Sequence, residues 1–428
     1  MTGRPLKQIH LAAHFPGVNN TTVWTDPASR SQIEFSSFRH LAETAERGKF
    51  DFFFLAEGLR LREVKGRIHD LDVVGRPESI TVLNALAAVT DRLGLAATVN
   101  ATFNEPYELA RRLASLDHLS EGRAAWNVVT SSDAFTGENF RRGGYLDRAD
   151  RYTRAAEFVR LAREFWDADG AQVRHAGPQF DVTGTLSLPR PPQGHPVVIQ
   201  AGDSEEGREF AASAADVIFS RHSTLEAGQA FHADVKRRLA AYGRKPDDLK
   251  IMPGVTYVLG DTDADAHERA AEIRRAQVGP RTAIAFLEQV WGVDLSDHDP
   301  DGPLPAADPV PDSELVQGRT RLGDPLEIAA RWRATAAEKN LTTRELVIEL
   351  TGRQSFIGSA STVAAQLDEH VQNDAADGFI LVPHLTPGGL DDFVDQVVPL
   401  LQERGVFRTE YTGRTLREHL GLPSPAGG

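Results

Sequence analysis

Short apolar runs alternate with longer stretches whose apolar positions recur every three or four residues, from one end of the 428-residue chain to the other. The short runs are Ile9–Phe15, Asp51–Glu57, Leu93–Asn100, Ala124–Thr130, Pro196–Gly202, Asp216–His222, Met252–Gly260 and Gly378–His384. They are continuous rather than alternating, which is the pattern of parallel strands buried on both faces. Helical patterns lie between most of them, for example Phe35–Lys49, Leu109–Ser120, Asp150–Trp166 and Thr224–Tyr242. Strands and helical crossovers in this order predict an α/β fold, a (β/α)8 TIM barrel formed as one domain over residues 1–428. An open doubly wound sheet is the alternative. Its Gly-rich fingerprint is missing after the first run, where the chain reads HFPGVNN.

The period fails once. More than a hundred residues separate the seventh and eighth runs, and residues 261–350 are expected to form a helical and loop insertion. Within it, helical patterns at Asp263–Gln289 and Pro325–Glu338 frame the Pro- and Asp-rich stretch Asp294–Glu314, read as a lid or an interface.

A barrel builds its site at the C-terminal ends of its strands. Those ends supply His14, Glu57, Thr98, Asn100, Asn127, Thr130, Ser131, Ser204, His222 and His384. In AAWNVVT, a period of two puts Ala125, Asn127 and Val129 on one face and Trp126, Val128 and Thr130 on the other. The bulky set suits the outer helices, so Asn127 is expected inside, near the top, offering a donor and an acceptor. In QAGDSEEGREFAA, a strand ends at Ala201-Gly202 and Ser204 caps a helix; such a start is either a plain cap or an anion site. Asp203 would repel a phosphate there unless it points away. Arg148 and Tyr152 stand one helical turn apart, either as a cation and a phenol for an anionic ligand or with Arg148 paired to a surface aspartate.

Composition removes several alternatives. No cysteine is present, so thiolate catalysis, thiol-ligated zinc and iron–sulfur clusters are excluded, and the chain is expected in the cytoplasm. A net charge of -14 argues against nucleic acid and anionic membranes as partners, and no apolar run approaches membrane-spanning length. His10 and His14 lack the His-x-His spacing of neighbouring lumen ligands, so no metal is expected.

FDFFFLAEGL (50–59), NEPYELARRLASLDHLSEGRAAWNVVTS (104–131), RYTRAAEF (151–158), QAGDSEEGREFAA (200–212), ADGFILVP (376–383) and LQERGVFRTEYTGRTLREHLGL (401–422) resemble, together and in order, the bacterial-luciferase-like flavin monooxygenases. More narrowly they resemble the branch acting on nitrilotriacetate, EDTA, dimethyl sulfide and dibenzothiophene sulfone. The resemblance implies FMN at the C-terminal face, with flavin contacts carried onto Glu57, Thr98, Asn100, Arg148, Tyr152 and Ser204, and with Asn127, Ser131 and Asp203 beside the same pocket. Glu57, Arg148 and Asp203 depart from the commoner Asp, His and Ser or Ala. It also implies a two-component reaction: a separate NAD(P)H:flavin reductase supplies FMNH2, and a C4a-(hydro)peroxyflavin passes one oxygen atom to a small organic sulfur or nitrogen compound. His14, His222 and His384 are candidates for substrate contact or proton transfer. A homo-dimer or tetramer is expected by the same resemblance. The alternatives are a deazaflavin F420-dependent oxidoreductase of the same superfamily and a non-catalytic flavin-binding protein.

Overall fold

All eight apolar runs become barrel strands. The computed structural model describes residues 5–16, 21–60, 63–64, 67–68, 77–131, 134–140, 150–311, 313, 316–317, 323–352 and 354–425. The strands are β1 (His10–His14), β2 (Phe52–Leu55), β3 (Gly94–Asn100), β4 (Ala124–Val129), β5 (Val197–Gln200), β6 (Val217–Ser220), β7 (Lys250–Val255) and β8 (Gly378–Leu381). Each pairs in parallel with its neighbours in chain order, and β8 pairs with β1 to close the barrel. Every strand therefore delivers its C-terminal end to the same rim.

Helices α1 (Phe35–Arg47), α2 (Ser79–Ala87), α3 (Pro106–Leu119), α4 (Asp150–Asp167), α5 (Glu205–Ala214) and α6 (Leu225–Leu239) supply the crossovers up to β7. Alternation along each strand sorts the core into two layers. Ala12, Phe52, Phe54, Ala96, Ala125, Ile199, Val217 and Ile380 fill the lumen, while Leu11, Phe53, Leu95, Trp126, Val198 and Ile218 pack outward. Trp126 shows why the outer face takes the bulk: it lies 5.3 Å from Phe158 of α4, and its Nε1 donates to the Val99 carbonyl at 3.0 Å.

The opposite end of the barrel is shut. Leu416, Leu420 and Leu422 join the lumen cluster from the C-terminal segment, and a Cβ at Gly94 would stand 2.6 Å from Leu416. Two buried aspartates and one half-buried aspartate tie the strand starts there. Asp51 accepts from Leu11 N (2.9 Å), Asp216 from Val198 N (2.8 Å) and Asp377 from Ile251 N (2.8 Å). Each meets a cation: Arg408 at 2.6 Å, Arg417 at 3.1 Å and Lys236 at 2.8 Å. These carboxylates serve stability, not chemistry, and leave the other rim as the place for a site.

The seventh run is shorter in the barrel than the sequence suggests. β7 stops at Val255, and Tyr257–Leu259 leaves to pair in parallel with Phe356–Gly358. The excursion between them holds α7 (Asp263–Gln277), α8 (Pro280–Trp291), α9 (Pro325–Lys339) and α10 (Thr343–Thr351), before α11 (Ala360–Gln372) leads into β8. α8, α9 and α10 share a core of their own, including Leu287, Trp291, Ile328, Trp332 and Leu346. The Pro- and Asp-rich stretch is fastened onto it: Trp291 Nε1 donates to Ala307 O at 2.9 Å, and Thr343 N to Gly302 O at 2.9 Å. No described helix is long and apolar enough to cross a membrane.

Candidate active site

An aromatic layer forms the floor of the open mouth. His14, inward on the same face as Ala12, stacks on Phe54 at 5.5 Å, and Phe54 stacks on Phe219 at 5.7 Å. Above it, the ends of β2, β3 and β4 carry a connected polar array. Register places Thr98 opposite Asn127, and Asn127 Nδ2 donates to Thr98 Oγ1 at 3.0 Å. With its donor end so engaged, Asn127 keeps Oδ1 buried and without a hydrogen-bond partner. Such an atom is costly unless something donates to it. Asn100 Nδ2 donates to Ser131 Oγ at 2.8 Å, and its Oδ1 accepts from Thr102 N at 2.6 Å. Glu57 joins through Ser79, whose hydroxyl is 2.9 Å from Glu57 Oε2 and 3.1 Å from the Thr98 carbonyl.

The second feature is a cradle between α4 and the start of α5. Ser204 is the N-cap of α5 and accepts from Gly207 N at 3.2 Å. Tyr152, at the start of α4, brings its hydroxyl over the same turn. A Cβ at Gly202 would stand 2.9 Å from that oxygen and one at Gly207 3.0 Å, so only glycine lets the hydroxyl come this close to the start of α5. Gln200 is buried beside it, with Oε1 lacking a partner. Backbone N–H groups at a helix start, two hydroxyls and glycines without side chains make a place suited to an anion.

Asp203 does not stand alone before that cradle. Arg221 Nε lies 3.6 Å from its Oδ2 and His222 Nε2 4.0 Å from its Oδ1, so two bases from the end of β6 face its charge. His222 also packs on Phe231 of α6 at 4.6 Å. His384 sits apart from the Asn127 array: its carbonyl accepts from Val23 N at 2.8 Å, and its Nδ1 is buried without a partner. Burial and the nearby Arg269 push its imidazole down to about 4, against weaker pull from Asp26 and Asp392, so it is neutral at physiological pH. Arg148 lies outside the described residues. Among the described residues no cluster of His, Asp or Glu could hold a metal, and His10 is spent on Asp51 at 3.2 Å.

Comparison with known proteins decides the family. The model for luciferase-like monooxygenases matches residues 17–378. The chain belongs to the luciferase-like monooxygenase family. It is 40% identical to nitrilotriacetate monooxygenase component A of Aminobacter aminovorans, over 94% of this chain and 93% of that one. It is also 40% identical to N-acetyl-S-(2-succino)cysteine monooxygenase of Bacillus subtilis (strain 168), over 98% of each. Among solved structures, a riboflavin lyase with modified FMN and riboflavin superposes with a TM-score of 0.80 at 28% identity, covering 98% of this chain and 97% of that one. The chain is thus a flavin-dependent monooxygenase. In this luciferase-like monooxygenase, Ser79 and Gln200 at the rim are absent from the residues singled out by sequence. Ser79 is the first residue of a helix capped by Glu78 and Gln200 is the last residue of β5; only the pairing of distant strands gives either a place in the site.

Proposed function

We propose that this monooxygenase binds FMN at the C-terminal rim, takes it as FMNH2 from a separate flavin reductase, and adds one oxygen atom from O2 to a small organic sulfur or nitrogen compound. The observation that carries the reading is the cradle at the start of α5, where glycine at 202 and 207 lets the Tyr152 hydroxyl stand beside the Ser204 cap and the N–H groups of that turn. Tyr152, Ser204 and the α5 start hold the phosphate; Asn127, through Oδ1, accepts an N–H of the ring, and Thr98 fixes its orientation. Glu57 is held at the rim by Ser79, and Asn100 with Ser131 shapes the wall beside Asn127.

Reduced flavin, when bound, supplies the electrons with which oxygen is activated. The chain's task is to orient it and to keep bulk water away. The His14–Phe54–Phe219 layer makes the floor apolar, which strengthens the hydrogen bonds above it. Among the three candidate histidines, His14 belongs to that layer and is assigned to substrate contact or proton transfer. His222 borders Asp203 and takes a supporting role. His384, neutral through the working range, is assigned to structure. Arg148 is assigned to the anionic reduced ring by its place in the resemblance.

Equilibrium binding of FMN, FMNH2 and reduced F420, followed by turnover under isotope-labelled O2, tests the reading. FMNH2 should bind in preference to F420, and one labelled oxygen atom should enter an organic sulfur or nitrogen substrate. Preference for F420, or FMN binding with no labelled product from any sulfur or nitrogen compound, would overturn it.

A further inference from the structure

Arg221 differs from the guanidinium groups that α4, α5 and α6 carry nearby in the chain. Arg208 donates to Asp234 at 2.8 Å, Arg238 to Glu209 at 2.8 Å and Arg163 to the Ala214 carbonyl at 2.7 Å. Arg221 sits 3.6 Å from Asp203, beyond hydrogen-bond reach, and makes no hydrogen bond among the described residues. Its side chain is 71% exposed while Asp203 is 30% exposed. Val217 and Phe219 of β6 face the lumen, so Arg221 continues that row past the strand's end, over the mouth. The carboxylate it faces is that of Asp203; Glu205, in the first turn of α5, lies 3.8 Å from Arg238 instead. A planar fork of donors on the lumen side, steered by a loose carboxylate that a better acceptor displaces, is the arrangement that recognises a carboxylate or phosphate.

We propose that Arg221 is an oxyanion-recognition residue at the barrel mouth, positioned by Asp203 and transferred to a ligand's carboxylate or phosphate on binding. The inference rests on the flavin-monooxygenase reading above and adds to it a specificity residue. Two sources present the required oxygens, the FMN phosphate and a carboxylate-bearing substrate.

The test uses the full chain, Arg221→Gln, Asp203→Asn and the double variant. FMN and riboflavin binding is followed by flavin fluorescence, and binding of nitrilotriacetate, succinate and inorganic phosphate by calorimetry. If the flavin phosphate is the ligand, Arg221→Gln weakens FMN roughly ten- to hundredfold and leaves riboflavin unchanged. If a substrate carboxylate is the ligand, the same factor appears for nitrilotriacetate or succinate and FMN is unaffected. In both cases Asp203→Asn tightens the same anion, and the gain vanishes in the double variant. Affinities for every anion that are the same in wild type and Arg221→Gln overturn the proposal. A wild-type chain that binds no FMN would overturn the flavin reading instead, and the carboxylate measurements would still decide the role of Arg221.

Discussion

Asn127 gives its amide protons to Thr98 Oγ1 at 3.0 Å and is left with a buried carbonyl oxygen that nothing in the described chain satisfies. The arrangement is costly for folding and useful for binding, since a ligand N–H recovers what the free chain loses. Asn127→Leu paired with Thr98→Val, which removes both partners of the bond, should therefore weaken FMN binding roughly tenfold, while the flavin-free protein becomes more stable by about 1 kcal/mol. Flavin titration and urea unfolding on the same variant check both signs. A variant that loses stability and keeps its FMN affinity would show Asn127 to be structural.

Gly202 and Gly207 let the Tyr152 hydroxyl approach the start of α5. Gly202→Ala would put a methyl 2.9 Å from that oxygen and 2.3 Å from Gln200 Nε2, so both side chains must move. FMN affinity should fall by at least roughly tenfold, about 1.4 kcal/mol, with riboflavin affinity nearly unchanged, because only FMN carries the phosphate. Equal losses for the two flavins would place the phosphate elsewhere.

Ser79 shares one proton between Glu57 and the Thr98 carbonyl. Ser79→Ala frees the Glu57 carboxylate from this anchor without touching the floor of the mouth. The expected result is a rise in KM for the reduced flavin of roughly five- to tenfold, from the loss of about 1 kcal/mol of hydrogen bonding. Steady-state kinetics checks it, and Ser79→Thr, which restores the hydroxyl, should recover most of the loss. No rescue would assign the effect to the start of α2.

The barrel was legible because buried parallel strands announce themselves as continuous apolar runs, and all eight runs lie on strands. The inward turn of Asn127 followed from alternation with Trp126 and needed no contact information. What could not be read depends on pairing between distant segments. Tyr257–Leu259 is as apolar as the strand it continues, so nothing local marks its departure toward Phe356–Gly358. Asp203 seemed an obstacle to an anion, and only the adjacency of β5 and β6 reveals the bases opposite it. Nothing local marks a role for the aspartates at the closed end; their partners Arg408, Arg417 and Lys236 come from remote parts of the chain.

Two of the buried groups that respond to acid, His384 and Asp51, have effects of the same sign. Burial, reinforced by Arg269, lowers His384 from 6.5 to about 4, so the fold binds fewer protons there than the unfolded chain does. Its contribution is complete above pH ~6.5 and lost as pH falls toward 4, on the order of 3 kcal/mol. Asp51 is fully buried, which by itself would raise its pKa, but Arg408 and His10 outweigh that and bring it from 3.8 to about 2. Its contribution persists above pH ~4 and is lost between there and 2, roughly 2 kcal/mol. Urea unfolding measured from pH 7 to pH 3 should thus show stability falling first through the His384 window and continuing as Asp51 begins to protonate. His384→Gln should reduce the decline between pH ~6.5 and 4, leaving the share of His195 and His419, whose imidazoles burial also lowers, and the loss below it. It should also leave the pH dependence of kcat unchanged, because an imidazole that is already neutral at the working pH donates no proton there. A shifted kcat profile in this variant would return His384 to the chemistry.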